Sequence, residues 1–249
     1  MITIKSEREL DLMRMAGKIT ALAHQGVAKN IRPGITTQEL NDIAEDIIRS
    51  NDGIPAFLNY MGYPASACIS VNEEVVHGIP SERRLQDGDI VSVDIGAIYK
   101  GYVGDAANTY PVGNVSEEAQ RLIDVTKESF WQGVKHAKAG ARLGDISHAI
   151  QTYVEKNGFA VVRDYVGHGI GAAMHESPSI PNYGVAGRGV VLRENMTLAI
   201  EPMVNQGTYE VKVLEDQWTA VTLDGKLSAH YEHTLLIKAD TYEILTISD

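Results

Sequence analysis

The segment Leu192–Glu201, LRENMTLAIE, repeats the pattern of Leu85–Asp94, LQDGDIVSVD, and puts Glu201 where Asp94 stood. The likeness extends on both sides. Gly140-Ala141-Arg142-Leu143-Gly144-Asp145-Ile146 leads into a helical run that Asn157-Gly158 ends, as Asp52-Gly53 ends an earlier one. Glycine-rich text then carries His168 and His175, with Pro178 and Pro181 following as Pro80 follows His77. In His230-Tyr231-Glu232-His233-Thr234, Glu232 stands where Asp105 stood. The chain reads as two related halves, about 1–115 and 116–249, of one domain 1–249 built about an approximate twofold axis. The period is too long for a solenoid. Chance similarity between two helix–strand units is the competing reading.

The first half shows what the repeat carries. Val91–Tyr110 reads VSVDIGAIYKGYVGDAANTY, two alternating runs with Lys100-Gly101 at the tip, which predicts a hairpin. That register sets Asp94 opposite Ala107, one step along the same face from Asp105. Two carboxylates so close repel and raise each other's pKa unless a cation lies between them or water screens them. If the halves meet, Asp94, Asp105, Glu201 and Glu232 converge, and such a cluster is buried and ionised only with cations of matching charge. His168, in Gly167-His168-Gly169-Ile170-Gly171, adds one nitrogen. Read alone, a histidine among glycines is more often a satisfied structural one; its partners in the sequence reverse that. Together the five suit Mn, Fe, Co or Zn, with two ions ~3.5–4 Å apart under bridging carboxylates.

Helices are predicted from Ser6 toward Asn30, behind the Thr36-x-x-Glu39 capping box to Asp52-Gly53, from Ser116 to about Lys138 with Gly140 closing it, and through Ile146, Ile150 and Val154. Strands are predicted at Ala67–Val71 and at Val75-Val76-His77-Gly78. A formal charge of -11 argues against DNA and anionic membranes as main partners. One cysteine, Cys68, excludes an intrachain disulfide and fits a reducing compartment. MITIKSERELDLMRMAG lacks the regions of a signal peptide, and no apolar run reaches membrane-spanning length. A soluble cytoplasmic protein is expected.

HGIP at His77, DIG-x5-Y-x2-D-x-A-x-T from Asp94, GHGIG-x3-HE-x-P-x-IPNYG from Gly167, Glu201-Pro202 and EHT from Glu232 together resemble the methionine aminopeptidases, the short bacterial type I form in particular. The resemblance runs from the first helix to the end of the chain. It implies the α/β (α+β) pita-bread fold, a curved antiparallel sheet backed by helices with internal pseudo-twofold symmetry. It implies a monomeric hydrolase that removes the initiator methionine from nascent polypeptides near the ribosome, where the second residue is small. The implied ligands of two divalent ions (Co, Mn, Fe, Zn or Ni) are Asp94, Asp105, His168, Glu201 and Glu232. A metal-bridged hydroxide attacks, Glu201 takes and passes on the proton, His175 stabilises the oxyanion, and His77 holds the backbone of the second substrate residue or helps to transfer the proton. Asp94 and one ion take the free amine.

The implied methionine pocket is Phe57, Tyr60, Tyr63, Cys68, Met174 and Trp218, whose rings and sulfur suit a thioether; ordinary core packing is the other reading of such a set. Residue 57 is often smaller and residue 174 often aromatic in these relatives. His230 replaces a common glutamine, with either a role behind the ligands or one in packing or at the surface. A monovalent cation is implied near Asn72, the Glu74 carbonyl and Ser228. Cys68 lacks an adjacent base, so a wall role fits better than a nucleophile. Rival readings are a proline-specific aminopeptidase of the same fold and a non-catalytic binding protein that kept it.

Overall fold

Each of four helices starts where a side chain can satisfy a free amide. The computed structural model describes residues 2–247. In α1 (Glu7–Ala28) and α2 (Thr37–Ser50) the carboxylates of Glu9 and Glu39 accept from the amides of Ser6 and Thr36, both at 2.7 Å. In α3 (Glu117–Val134) Ser116 Oγ accepts from the Ala119 amide at 3.1 Å, and in α4 (Leu143–Lys156) Asp145 accepts from the Arg142 amide at 3.0 Å. Helix α3 stops short of the expected Lys138. The amides of His136 and Ala137 bond back only three residues, to Gly133 and Val134, and Ala139 is drawn to the carbonyl of Lys238.

The predicted hairpin forms from Ile90–Tyr99 and Tyr102–Pro111. Its tip, Lys100 and Gly101, has φ of 47° and 85°, the two-residue turn whose twist matches paired strands. This hairpin sits in a nine-stranded antiparallel sheet beside Glu232–Ile237, which in turn pairs with Thr197–Ile200; Gly167–Gly169 and Glu176–Ile180 continue the order. Across that seam Asp94 pairs with Ala107, and Ala107 with Glu232. The register therefore lines up a carboxylate from each half on one face.

The second-half unit is broken where the first is continuous. Pro202 has no amide to give the ladder, and beyond it Met203–Asn205 pairs with Ser228–His230 in a separate three-stranded sheet. Elsewhere the expected strand ends at Val76, because His77 adopts φ of 62° and leaves the ladder.

Helices α1 and α2 cover a core that includes Leu40, Ile48 and Val93, while α3 and α4 cover one that includes Phe130, Ile146 and Ile200. The same contacts recur in both. Gly34 donates to the Leu85 carbonyl and Leu85 back to Ile35, as Gly140 donates to Leu192 and Leu192 back to Ala141. Gly104, next to Asp105, lets α1 lie directly on the sheet: a Cβ there would meet Gly17 N at 2.6 Å and Gly17 Cα at 2.7 Å. Because the obstacle is backbone, Gly104→Ala is expected to cost about 1–3 kcal/mol or more, read as a lower urea midpoint.

Candidate metal centre

Strand register brings all five predicted ligands together. Asp94 and Asp105 come from the first hairpin, Glu232 from the strand beside it, His168 from Gly167–Gly169, and Glu201 from the end of Thr197–Ile200. Their supports are specific. The Thr234 hydroxyl donates to the Asp105 carbonyl at 2.8 Å and accepts from the Asp105 amide at 3.0 Å. Asn182 Nδ2 donates to the Glu201 carbonyl at 2.9 Å.

His168 Nε2 lies 3.5 Å from Glu201 Oε1 and 3.9 Å from Asp105 Oδ2. Its Nδ1 is 2.9 Å from the Gly169 carbonyl. That oxygen only accepts, so Nδ1 carries the hydrogen and Nε2 presents a lone pair to the carboxylates. Asp105, His168 and Glu232 offer donor atoms within 4.8 Å of one another, and so do Glu201, His230 and Glu232. Asp94 Oδ1, Asp105 Oδ1 and Glu232 Oε1 are buried with no hydrogen-bond partner. Burial first, and repulsion by neighbouring carboxylates second, push Asp94, Glu201 and Glu232 well above the ordinary carboxylate range; burial pushes Asp105 up to about 7. Orphaned oxygens, a bare imidazole nitrogen and uncompensated negative charge all fit bound divalent cations.

The carboxylates floor a cleft whose walls are Phe57, Tyr60, Tyr63, Cys68, His77, His175 and Trp218. The His175 ring stands 4.3 Å from that of His168, and its Nδ1 is 2.8 Å from the Tyr60 hydroxyl. Tyr63 meets Trp218 edge-on at 5.2 Å. Burial pushes His77 down to about 4 and also lowers His175, so both are neutral near pH 7. Burial raises the Cys68 thiol well above its usual value, which removes it as a nucleophile. Met174 is buried, in one cluster with Phe57, Tyr63 and Cys68. It packs with Phe57 over Gly96, where a Cβ would lie 3.0 Å from each side chain. Met61 lines the cleft, although 83% exposed; an apolar residue in a Tyr- and Gly-rich loop was the only signal in the sequence.

His230 is no surface residue: it is 2% exposed, behind Glu201 and Glu232. Asn72 and Ser228, expected near a monovalent cation, are adjacent, with the Ser228 amide donating to the Asn72 carbonyl at 2.9 Å. The Glu74 carboxylate is engaged by Arg83 at 2.8 Å.

An antiparallel sheet backed by helices, with five such donors gathered at the base of an aromatic cleft, suits a metal-dependent hydrolase. The sequence model of metallopeptidase family M24 matches residues 11–239, and the chain belongs to that family. It is 55% identical to methionine aminopeptidase 1 of Bacillus subtilis and 56% identical to a methionine aminopeptidase of Clostridium acetobutylicum, with at least 99% of each chain covered. The crystal structure of a methionine aminopeptidase from Thermotoga maritima, 52% identical, superposes over 100% of both chains with a TM-score of 0.98. The pita-bread fold that the resemblance implied is the fold of this chain.

Proposed function

We infer that this chain removes the N-terminal methionine from polypeptides by metal-assisted hydrolysis. The observation that carries the reading is the set of orphaned carboxylate oxygens and the bare His168 nitrogen at the floor of a cleft walled by rings and sulfur. Divalent ions held by Asp94, Asp105, His168, Glu201 and Glu232 would supply a water of lowered pKa and polarise the scissile carbonyl. The remaining work falls to the chain. Glu201 takes the proton from the nucleophile and hands it to the leaving amine. His175, neutral and steadied by Tyr60, donates to the carbonyl oxygen as charge develops there. His77, also neutral, holds the backbone of the second residue by a hydrogen bond rather than an ion pair. Asp94 and one of the ions would receive the substrate's free amine, which limits cleavage to the first residue; only the neutral amine has a lone pair for the ion, so neutral to mildly alkaline pH is favoured.

Tyr60, Tyr63, Trp218, Phe57 and Cys68 form the methionine subsite, with Met174 packed beside Phe57. Such a pocket discriminates a missing methylene by ~1–3 kcal/mol, so selection among unbranched apolar residues is graded. The same reading makes residues 1–249 one catalytic domain of two halves. It makes the protein a cytoplasmic monomer acting on nascent chains near the ribosome, with Co, Mn, Fe, Zn or Ni as candidate ions and a monovalent cation at Asn72, Glu74 and Ser228. No helix among the described residues is long and apolar enough to cross a membrane.

Chelator-treated protein, reconstituted with each divalent ion in turn, is expected to cleave peptides beginning Met-Gly and to leave X-Pro peptides intact. Cleavage of X-Pro peptides instead would favour the proline-specific reading. No cleavage with any ion would favour a binding protein.

A further inference from the structure

We propose that His230 is a positioning residue of the metal centre, its Nε2–H holding the carboxylates of Glu201 and Glu232 from the protein side. This rests on the reading of those two carboxylates as ligands. His230 Nε2 is buried and has no hydrogen-bond partner. It lies 3.7 Å from Glu201 Oε2 and 3.9 Å from Glu232 Oε2. His168 Nε2 stands 3.5 Å from the other oxygen, Glu201 Oε1. One carboxylate is thus flanked by an imidazole nitrogen on each oxygen.

The backbone treats His230 as it treats a ligand. The Thr109 hydroxyl accepts from the His230 amide at 2.8 Å and donates to the His230 carbonyl at 2.9 Å. That is the clamp Thr234 places on Asp105. Thr109 lies on the Asp105 strand and is itself 2.8 Å from Ser92 Oγ, on the Asp94 strand. The hydroxyls therefore tie His230 to the elements that carry the ligands. The break in the second-half strands, at Pro202 and Tyr231, leaves Met203 and His230 paired in the separate sheet, one step beyond Glu201 and Glu232.

Two features decide between donating a hydrogen and ligating an ion. His230 is not among the residues lining the cleft, so it meets the carboxylates from behind, away from the open side. With no ion on that side to take a lone pair, a lone pair aimed at two carboxylate oxygens is also repelled, whereas an N–H is attracted to both; His168, which lines the cleft, is spared that repulsion by the ions it would hold. Groups that hold carboxylate ligands in place in this way set how tightly the ions bind.

The test uses full-length protein and manganese alone, titrated calorimetrically into chelator-treated samples. His230→Leu, near in size and without a donor, is expected to weaken manganese binding about 10–100-fold, and His230→Gln, a donor of similar reach and a poor ligand, to stay within about threefold of wild type. The third readout needs no folded variant. In zinc-loaded wild-type protein labelled with nitrogen-15, the His230 ring is expected to carry its hydrogen on Nε2. An Nε2 without hydrogen, a Leu variant that binds like wild type, or a Gln variant as weak as Leu would each overturn the proposal. If wild type itself bound no divalent ion, the ligand reading would fall with it. If wild type and His230→Leu bind equally, this inference falls alone.

Discussion

Glu201→Gln is expected to leave a folded protein that still takes up divalent ions but turns over Met-Gly peptides about 10²- to 10⁴-fold more slowly, the range a positioned proton acceptor contributes. The argument is one of shape against basicity. Gln matches Glu in size, and the support beneath it is backbone: Asn182 holds the residue 201 carbonyl, which the substitution leaves in place. Four of the five proposed ligands are untouched, so ions are retained with some loss of affinity. What disappears is an oxygen able to accept a proton. KM should change little, because the aromatic walls that meet the methionine side chain lie elsewhere in the cleft. Asp105→Asn separates the two effects. It removes charge from the middle of the cluster, next to both His168 and Glu232, and should release ions before it slows chemistry. Elemental analysis alongside steady-state kinetics distinguishes these outcomes. An E201Q protein with wild-type turnover would move the proton-transfer role to another residue.

Much of this site could be read from the text because strands impose a period of two. Once Lys100-Gly101 is the tip, Asp94 and Asp105 must share a face, and the repeat assigns Glu201 and Glu232 to the same places in the second half. Side-chain spacing along one segment does not reveal which segments will pack together. Met174 follows the GHGIG stretch, yet its place beside Phe57 over Gly96 is set by packing between distant segments. Met61 reaches the cleft through a residue at φ of 51°, a conformation that no apolar pattern announces. His230 stayed open between a role behind the ligands and one in packing or at the surface, because its place depends on the break at Pro202, which steers the strand into a second sheet. The end of α3 was misjudged for a related reason. The chain just past its last turn is held by a bond from Ala139 to Lys238, about a hundred residues away in sequence.

Removing the ions is expected to lower the melting temperature most at alkaline pH and hardly at all near pH 5. Without ions the folded cluster keeps protons that the unfolded chain gives up. Asp105 has its folded pKa raised from 3.8 to about 7, and its three neighbours lie well above their usual values. Above about pH 4 the unfolded carboxylates are ionised, so the native state binds more protons than the unfolded one. Stability of the ion-free protein then falls as pH rises from there through about 7. Asp105 alone represents a loss of the order of 4 kcal/mol at pH 8, at ~1.4 kcal/mol per unit. Ions reverse the balance, since they bind the deprotonated carboxylates and their affinity grows over the same window. A stabilisation of that size corresponds to about 10 °C for a chain this long. Histidines pull the other way, those of the cleft and His230 among them, but two stand apart from the centre. His24 and His233, pushed by burial down to about 4 and 3, add stability as pH rises toward 6.5. They lie on the far side of the sheet from the cleft, in a cavity lined by Ala106, Tyr110 and Tyr231, and act alike with or without ions. The difference in melting temperature between ion-loaded and chelated protein therefore isolates the centre. A chelation effect of equal size at pH 5 and pH 8 would place the stabilising ions away from these four carboxylates.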